Sequence, residues 1–453
     1  MKCKIHIIRF YTIISVFSVI TFPLLSNPPL KSEESKNLWL TIVIHGGGAH
    51  PMYLNLSDAF KLTNDNLMPS IYSKTTEFLR KDPYFMKFHP QDYIGLQKAW
   101  PVTMPEEDYR GGQIFGKIYS EINNFAGLPP TEIYAFGWAG LLSNKARRKA
   151  AEKLYEEIYN LYEHKKREGY NPLLRIIAYS NGGNAAMNLA EVVRSKNYTP
   201  FHIEQLIIIS TPIHTNTQFY LQNGFFKNIY LFYSKGDNIQ SSDFLSSPTH
   251  SFTHRHFLAR EGIIPKNTTQ VQIRIFRTKM MIPQKDGSFR GIPRYEMVHP
   301  NHTEMFFFGW VPEWYRKYFP IRPLPVGILI PLFLKTIQEN HLQGKHLRLT
   351  LRPEEDQMTI DIKNSKQKQQ RRTVPFLTQQ ELTYFRKALQ KYKPAHVTHK
   401  EYHSRMEEHW KNAKEFIRDS FKQKIKAQHQ KKKFKDQPVC NVSLFQPITE
   451  ENQ

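Results

Sequence analysis

The sequence predicts an α/β fold, with a mostly parallel central sheet flanked by helices. Three observations carry that expectation. Residues Leu38–Ile44 form a continuous apolar, β-branched run, as a strand buried on both faces of a parallel sheet requires. Further runs of this kind alternate with amphipathic helical segments, the pattern of βα units joined by right-handed crossovers. One of these strands, Leu173–Ala178, leads through Tyr179 into a tight Ser180-Asn181-Gly182-Gly183 turn that opens a helix.

The elements follow in order. Lys2, Lys4 and Arg9 precede an apolar stretch, Tyr11–Leu25, the order of a secretory signal. That stretch falls short of the roughly 20 residues a bilayer crossing needs, so residues 1–26 are expected to be a signal peptide or an N-terminal anchor. Residues 27–37 make a polar spacer. The first strand ends in His45-Gly46-Gly47-Gly48. Residues 54–125 are mixed, with helix-like patches at Leu67–Arg80 and Gln113–Asn124. A strand is expected at Glu132–Gly137. An amphipathic helix follows over Ser143–Glu168, with Ala150, Leu154, Ile158 and Leu161 on one stripe. Ser143 is its natural N-cap and Gly169 its stop. The helix after Ser180 runs to about Arg194, and strands are expected at Gln205–Ser210, Ile229–Tyr233 and Val271–Phe276. Four prolines between Pro320 and Pro331 argue for a packed loop leading into a helix, Leu332–Asn340, rather than a spanning helix.

These elements define an expected domain at residues 38–340. The remainder, 341–453, reads as a basic, partly helical C-terminal extension with 24 Lys and Arg against 13 Asp and Glu. A linker is expected at Lys363–Arg372, and charged helices at Gln379–Tyr392 and Glu401–Lys435. On this reading a chain ending near residue 345 folds without the extension. Over all 453 residues, 63 basic against 40 acidic side chains leave a net charge of +23, which favours an anionic neighbour. The two cysteines, Cys3 and Cys440, fit neither a zinc spacing nor a disulfide framework.

The chemistry begins at Ser180. A strand, a sharp turn holding a serine between small residues, and then a helix present a nucleophile at the top of a sheet. The small residues here are Ala178, Gly182 and Gly183. The glycine loop after the first strand lets backbone amides of Gly46 or Gly47 approach a substrate oxygen, and Asn181 offers a third amide at the helix start. Asp237 follows the strand Ile229–Tyr233 and is the expected acid, with Asp243 as its rival. His302, in a loop beyond the last expected strand, is the expected base, with His299 three residues away. His250, His254 and His256 lack a metal-site pattern, and neither metal nor cofactor is expected.

In these motifs the chain resembles the α/β-hydrolase superfamily, especially bacterial esterase- and lipase-like members. The resemblance covers about residues 38–310. It rests on His45-Gly46-Gly47-Gly48, Phe136-Gly137-Trp138-Ala139-Gly140, Tyr179-Ser180-Asn181-Gly182-Gly183-Asn184, Ser210-Thr211-Pro212, Tyr233-Ser234-Lys235-Gly236-Asp237 and His302-Thr303-Glu304. The order Ser, Asp, His is also that of the superfamily. Two positions depart from its pattern: Ala178 stands where glycine is usual, and Tyr179 where many relatives carry histidine. The resemblance implies a serine hydrolase acting on a carboxylic ester through a Ser180–His302–Asp237 triad, with Gly46, Gly47 and Asn181 forming the oxyanion hole.

The alternative is a catalytically inactive binding protein of the same fold at the cell envelope. The expected partners are a small-molecule or lipid ester and an anionic membrane or envelope surface met by the basic C-terminal region. Nucleic acid is not expected. The N-terminal segment implies export, or membrane anchoring if it stays uncleaved.

Overall fold

The computed structural model describes residues 36–47, 65, 70–196, 199–242, 253–259, 264–279, 282–283, 289–290, 294–316, 319–363 and 370–435. The expected signal segment, Gly48, Asp243, His250 and both cysteines lie outside the described residues.

In chain order the strands are β1 (Lys36–Ile44), β2 (Gly95–Trp100), β3 (Thr131–Gly137), β4 (Tyr170–Tyr179), β5 (Ile203–Ile209), β6 (Phe226–Tyr233), β7 (Thr268–Lys279), β8 (Ile282–Pro283), β9 (Phe289–Arg290), β10 (Arg294–Val298), β11 (His346–Arg352), β12 (Gln357–Ile362) and β13 (Gln370–Pro375). The helices are α1 (Ile71–Lys81), α2 (Gly111–Phe125), α3 (Asn144–Arg167), α4 (Asn181–Met187), α5 (Leu189–Lys196), α6 (Thr215–Tyr220), α7 (Ile239–Ser242), α8 (His302–Phe306), α9 (Ile330–Glu339), α10 (Gln379–Gln390) and α11 (His399–Lys435).

The chain is an α/β protein built on an 11-stranded mixed sheet in the order β13-β12-β11-β7-β6-β5-β4-β1-β3-β2, with β10 also pairing β7. From β3 to β11 along that order, neighbouring strands are parallel. Strands β2, β10, β12 and β13 pair antiparallel to their neighbours. The chain steps from β1 to β3 on one side, then crosses back to lay β4 on the other and continues through β5, β6 and β7. The winding direction therefore reverses between β1 and β4, which leaves a crevice beyond their carboxyl ends.

Alternate residues of each strand face opposite sides of the sheet. In β4, Ile176 and Ala178 share a core with Leu154 and Ile158 of α3. On the other face Ile177 and Tyr179 share one with Phe115 and Ile118 of α2. Helix α3 starts as expected, with the Ser143 hydroxyl accepting from the Ala146 amide at 3.1 Å. It stops before Gly169, whose φ of +85° is open to glycine. The proline-rich stretch is packed into the core, with Ile321, Leu324, Val326 and Ile328 fully buried. Among the described residues no helix is long and apolar enough to cross a membrane.

Two expectations need correction. Strand β2 was not foreseen within residues 54–125. It is an antiparallel edge strand, Gly-Leu-Gln-Lys-Ala-Trp, too polar and too short to stand out. More consequentially, the boundary at 341 does not hold. Strand β11 pairs in parallel with β7, and β12 and β13 extend the same sheet. The alternating sequence His-Leu-Arg-Leu-Thr-Leu-Arg buries Leu347, Leu349 and Leu351 in the main core and leaves its basic residues on the other face. Arg371 and Arg372, assigned to a linker, lie in β13, where Arg371 pairs with the buried Asp361 at 2.8 Å. Helix α10 adds Leu382, Phe385 and Leu389 to the same core. The first half of α11 docks on α1 through the buried Met406 and a hydrogen bond between His409 Nε2 and the Asp82 carboxyl at 2.7 Å. From Phe421 to Gln430 every residue of α11 is exposed, so that stretch keeps the solvated, basic character expected of the whole extension.

Candidate active site

Because the strands from β3 to β11 are parallel, the carboxyl ends of β1, β4 and β6 share one edge of the sheet. Each contributes to the site. Ser180 follows β4 with φ 52° and ψ −133°, a conformation that a residue with a Cβ rarely adopts. The turn is held by the Ser180 amide donating to the Ile209 carbonyl and the Gly183 amide donating to the Ser180 carbonyl, both at 2.9 Å. The glycines are required by contact. A Cβ on Gly182 would sit 2.3 Å from the His45 carbonyl oxygen, and one on Gly183 would sit 2.0 Å from the Thr211 hydroxyl.

Asp237 lies in the turn after β6 and is fully buried. Its Oδ1 accepts from the Gln240 amide at 3.1 Å, and its Oδ2 lies 2.8 Å from His302 Nδ1. The opposite ring nitrogen, His302 Nε2, lies 3.0 Å from Ser180 Oγ. His302 is the first residue of α8, whose start is fixed by a reciprocal cap between Asn301 and Glu304. Glu304 also accepts from the Arg316 amide, and burial raises its pKa. Tyr179 supports the imidazole from below. Its hydroxyl donates to the His302 carbonyl at 2.9 Å, and its ring stacks on Phe306 at 4.6 Å. The acid turn and the chain leading to the base are also in contact, since a Cβ on Gly236 would meet the His299 carbonyl at 2.3 Å. His299 itself is half-buried, and its Nδ1 has no hydrogen-bond partner among the described residues.

The glycine loop at the end of β1 is held by a polar cluster. His45 is fully buried; its Nδ1 donates to the Gly46 carbonyl at 2.7 Å. Its Nε2 accepts from Arg80 at 3.0 Å and from the Trp138 amide at 3.3 Å. The Trp138 indole donates back to the His45 carbonyl at 2.8 Å. Burial, with the Arg80 charge second, keeps the His45 pKa well below the usual imidazole range, so the ring is neutral at pH 7. Gly46 abuts the serine: a Cβ there would lie 2.7 Å from Ser180 Cβ. Gly47 instead faces the Gly140 carbonyl, 3.6 Å from where its Cβ would be. The Asn181 side chain accepts from the buried Arg147 at 3.0 Å, which ties the start of α4 to α3.

The arrangement thus brings together Ser180, His302, Asp237, Gly46 and Asn181. Gly48 and Asp243 are outside the described residues. The supports Arg80, Trp138, Gln240 and Arg147 were not foreseen as part of the site. Arg80 and Arg147 sit on helices where arginine is usually surface, so only the fold reveals them. No group of three metal-ligating side chains occurs among the described residues. A serine hydroxyl hydrogen-bonded to an imidazole, whose far nitrogen meets a buried carboxylate, can transfer the serine proton as the oxygen attacks an electrophile. No protein-family model matches this sequence, and no curated protein is similar to it at a significant level.

Proposed function

We propose that the chain is a serine hydrolase of the α/β-hydrolase type that cleaves a carboxylic ester through an acyl-enzyme. One observation carries this reading. Ser180, on a strained turn at the sheet's switch point, joins His302 and Asp237 in an unbroken chain of hydrogen bonds of 3.0 and 2.8 Å. His302 Nε2 takes the proton as Ser180 Oγ attacks the ester carbonyl, and Asp237 stabilises the imidazolium. The tetrahedral oxyanion turns toward the Gly46 and Asn181 end of the site, where each backbone donor can contribute about 3 kcal/mol. His302 then gives its proton to the departing alcohol. A water, deprotonated by the same imidazole, attacks the acyl carbon to release the acid and restore Ser180.

The substrate class is a small-molecule or lipid ester. The solvated basic end of α11 gives the protein a means of meeting an anionic envelope surface, in keeping with export or anchoring by the N-terminal segment. A fluorophosphonate probe tests the activated serine directly. Covalent labelling at Ser180 is expected, and Ser180→Ala should lose both labelling and several powers of ten of turnover on a short activated ester. An unlabelled wild-type protein that is folded would instead favour the inactive binding protein.

A further inference from the structure

A cavity of about 290 Å³ opens beside the acid turn and is lined in part by Tyr233, Lys235, Arg255, His256 and Lys363. It shares structure with the Ser180 site. Lys235 precedes Asp237 by two residues, and Arg255 donates to the Asp237 carbonyl at 2.8 Å and to the Asn238 side chain at 3.1 Å. At its inner wall the Tyr233 hydroxyl lies 2.7 Å from His346 Nε2, and Lys363 Nζ approaches the same two atoms at 3.1 and 3.3 Å. The His256 ring sits 5.1 Å from that of Tyr233.

The charge balance is lopsided. Next to this wall, on β7, β11 and β13, Arg274, Arg348 and Arg371 all converge on the single carboxylate of Asp361, at 3.1, 3.8 and 2.8 Å. Among the described residues no carboxylate lies within ion-pair distance of Lys235, Arg255 or Lys363. Among the described residues these cations have no counter-charge, so they repel one another, and the half-buried Lys363 is in addition partly desolvated. Burial, then the charges of Arg348, Lys235 and Arg274, bring the Lys363 pKa down to about 8. A bound anion relieves both penalties at once.

We propose that this cavity binds a phosphate-sized oxyanion, held by the cationic groups of Lys235, Arg255 and Lys363. The site stands independently of whether Ser180 is catalytic. Free phosphate and the phosphate of a lipid headgroup share the recognised chemistry, and the two sources are separable by measurement.

The full-length protein is titrated calorimetrically with inorganic phosphate at pH 7 and constant ionic strength, then with a short-chain phosphatidate below its micelle concentration. Saturable binding of one phosphate per chain is expected. Lys363→Gln should weaken it by roughly tenfold or more, the usual loss for a hydrogen bond to a charged group. Lys98→Gln removes the same charge from β2, at the far edge of the sheet, and should leave binding unchanged. Phosphatidate that binds over tenfold tighter and competes with phosphate marks the site as a headgroup pocket. Equal or weaker phosphatidate binding marks it as a site for the free ion. Absence of saturable binding, or equal affinity in wild type and Lys363→Gln, overturns the proposal. If Lys363→Gln does not fold, Lys235→Gln at the exposed rim carries the same expectation.

Discussion

Gly46 shows how little room surrounds Ser180, the proposed nucleophile. Alanine there would put a Cβ 2.7 Å from Ser180 Cβ and 3.0 Å from the Tyr179 ring, and neither neighbour can withdraw. Ser180 is fixed by its turn, and Tyr179 by Phe306 and the His302 carbonyl. Gly46→Ala should therefore lower ester kcat at least about 100-fold, the scale of losing one oxyanion donor. Gly47→Ala should be mild, because among the described residues its new methyl meets nothing closer than 3.6 Å. Steady-state kinetics of the two variants check this, and equal losses would refute the placement of Gly46 against the serine. The side chains of the proposed triad could be picked out in the sequence because each follows a readable apolar strand or a turn-rich loop. Their supports were not. Arg80 reaches His45 from 35 positions away, and no local pattern distinguishes it from a surface arginine on an amphipathic helix.

At the scale of elements, β11 and β12 show why composition misled. Their polar faces carry enough charge to resemble a solvated tail, yet the period-2 alternation buries Leu347, Leu349, Leu351, Met358, Ile360 and Ile362. Each such side chain contributes about 1.5–3 kcal/mol, and six together rival the 5–15 kcal/mol by which a domain is typically stable. A chain ending at residue 345 also strips β7 of β11, one of its two parallel partners. Such a truncation should be insoluble or unfolded, whereas one ending at residue 420 keeps every packed contact described and should melt within a few degrees of the full chain. Circular dichroism on both truncated chains decides the matter. A soluble, cooperatively melting 345-residue chain would show that these strands are dispensable. The parallel centre of the sheet, by contrast, was readable from its continuous apolar runs, whereas the edge strands, half-exposed and charged, were not.

Over the whole molecule, buried neutral histidines set a lower limit to the working pH. Burial, with Arg80 second, lowers the pKa of His89 to about 3, and burial with Arg147 lowers that of His214 to about 2. His45 is lowered in the same way. These folded values lie below the unfolded value near 6.5, so the stabilisation is fully present above that pH. It is lost as the pH falls, because the unfolded chain takes up protons that the native state refuses. Each of these histidines should contribute a loss of about 1.4 kcal/mol per pH unit below 6.5. Melting curves between pH 7.5 and 5 should show a steep decline. His89→Phe, which preserves the stack on Phe307, should reduce proton uptake on unfolding at pH 5 by about one. An unchanged uptake would mean that His89 titrates normally in the fold. The two borders of the sheet have a different bearing on how copies of the chain meet. On one, a Glu157 carboxylate accepts the Leu96 amide of β2, so a hydrogen-bonding position there is already occupied. On the other, β13 exposes Arg371 and Arg372 and ends in Pro375. A strand with a spent donor, facing one with twin cations and a proline, makes a poor template for self-templated growth, so a protein with this many strands can be crowded at a surface without its sheets fusing into fibrils.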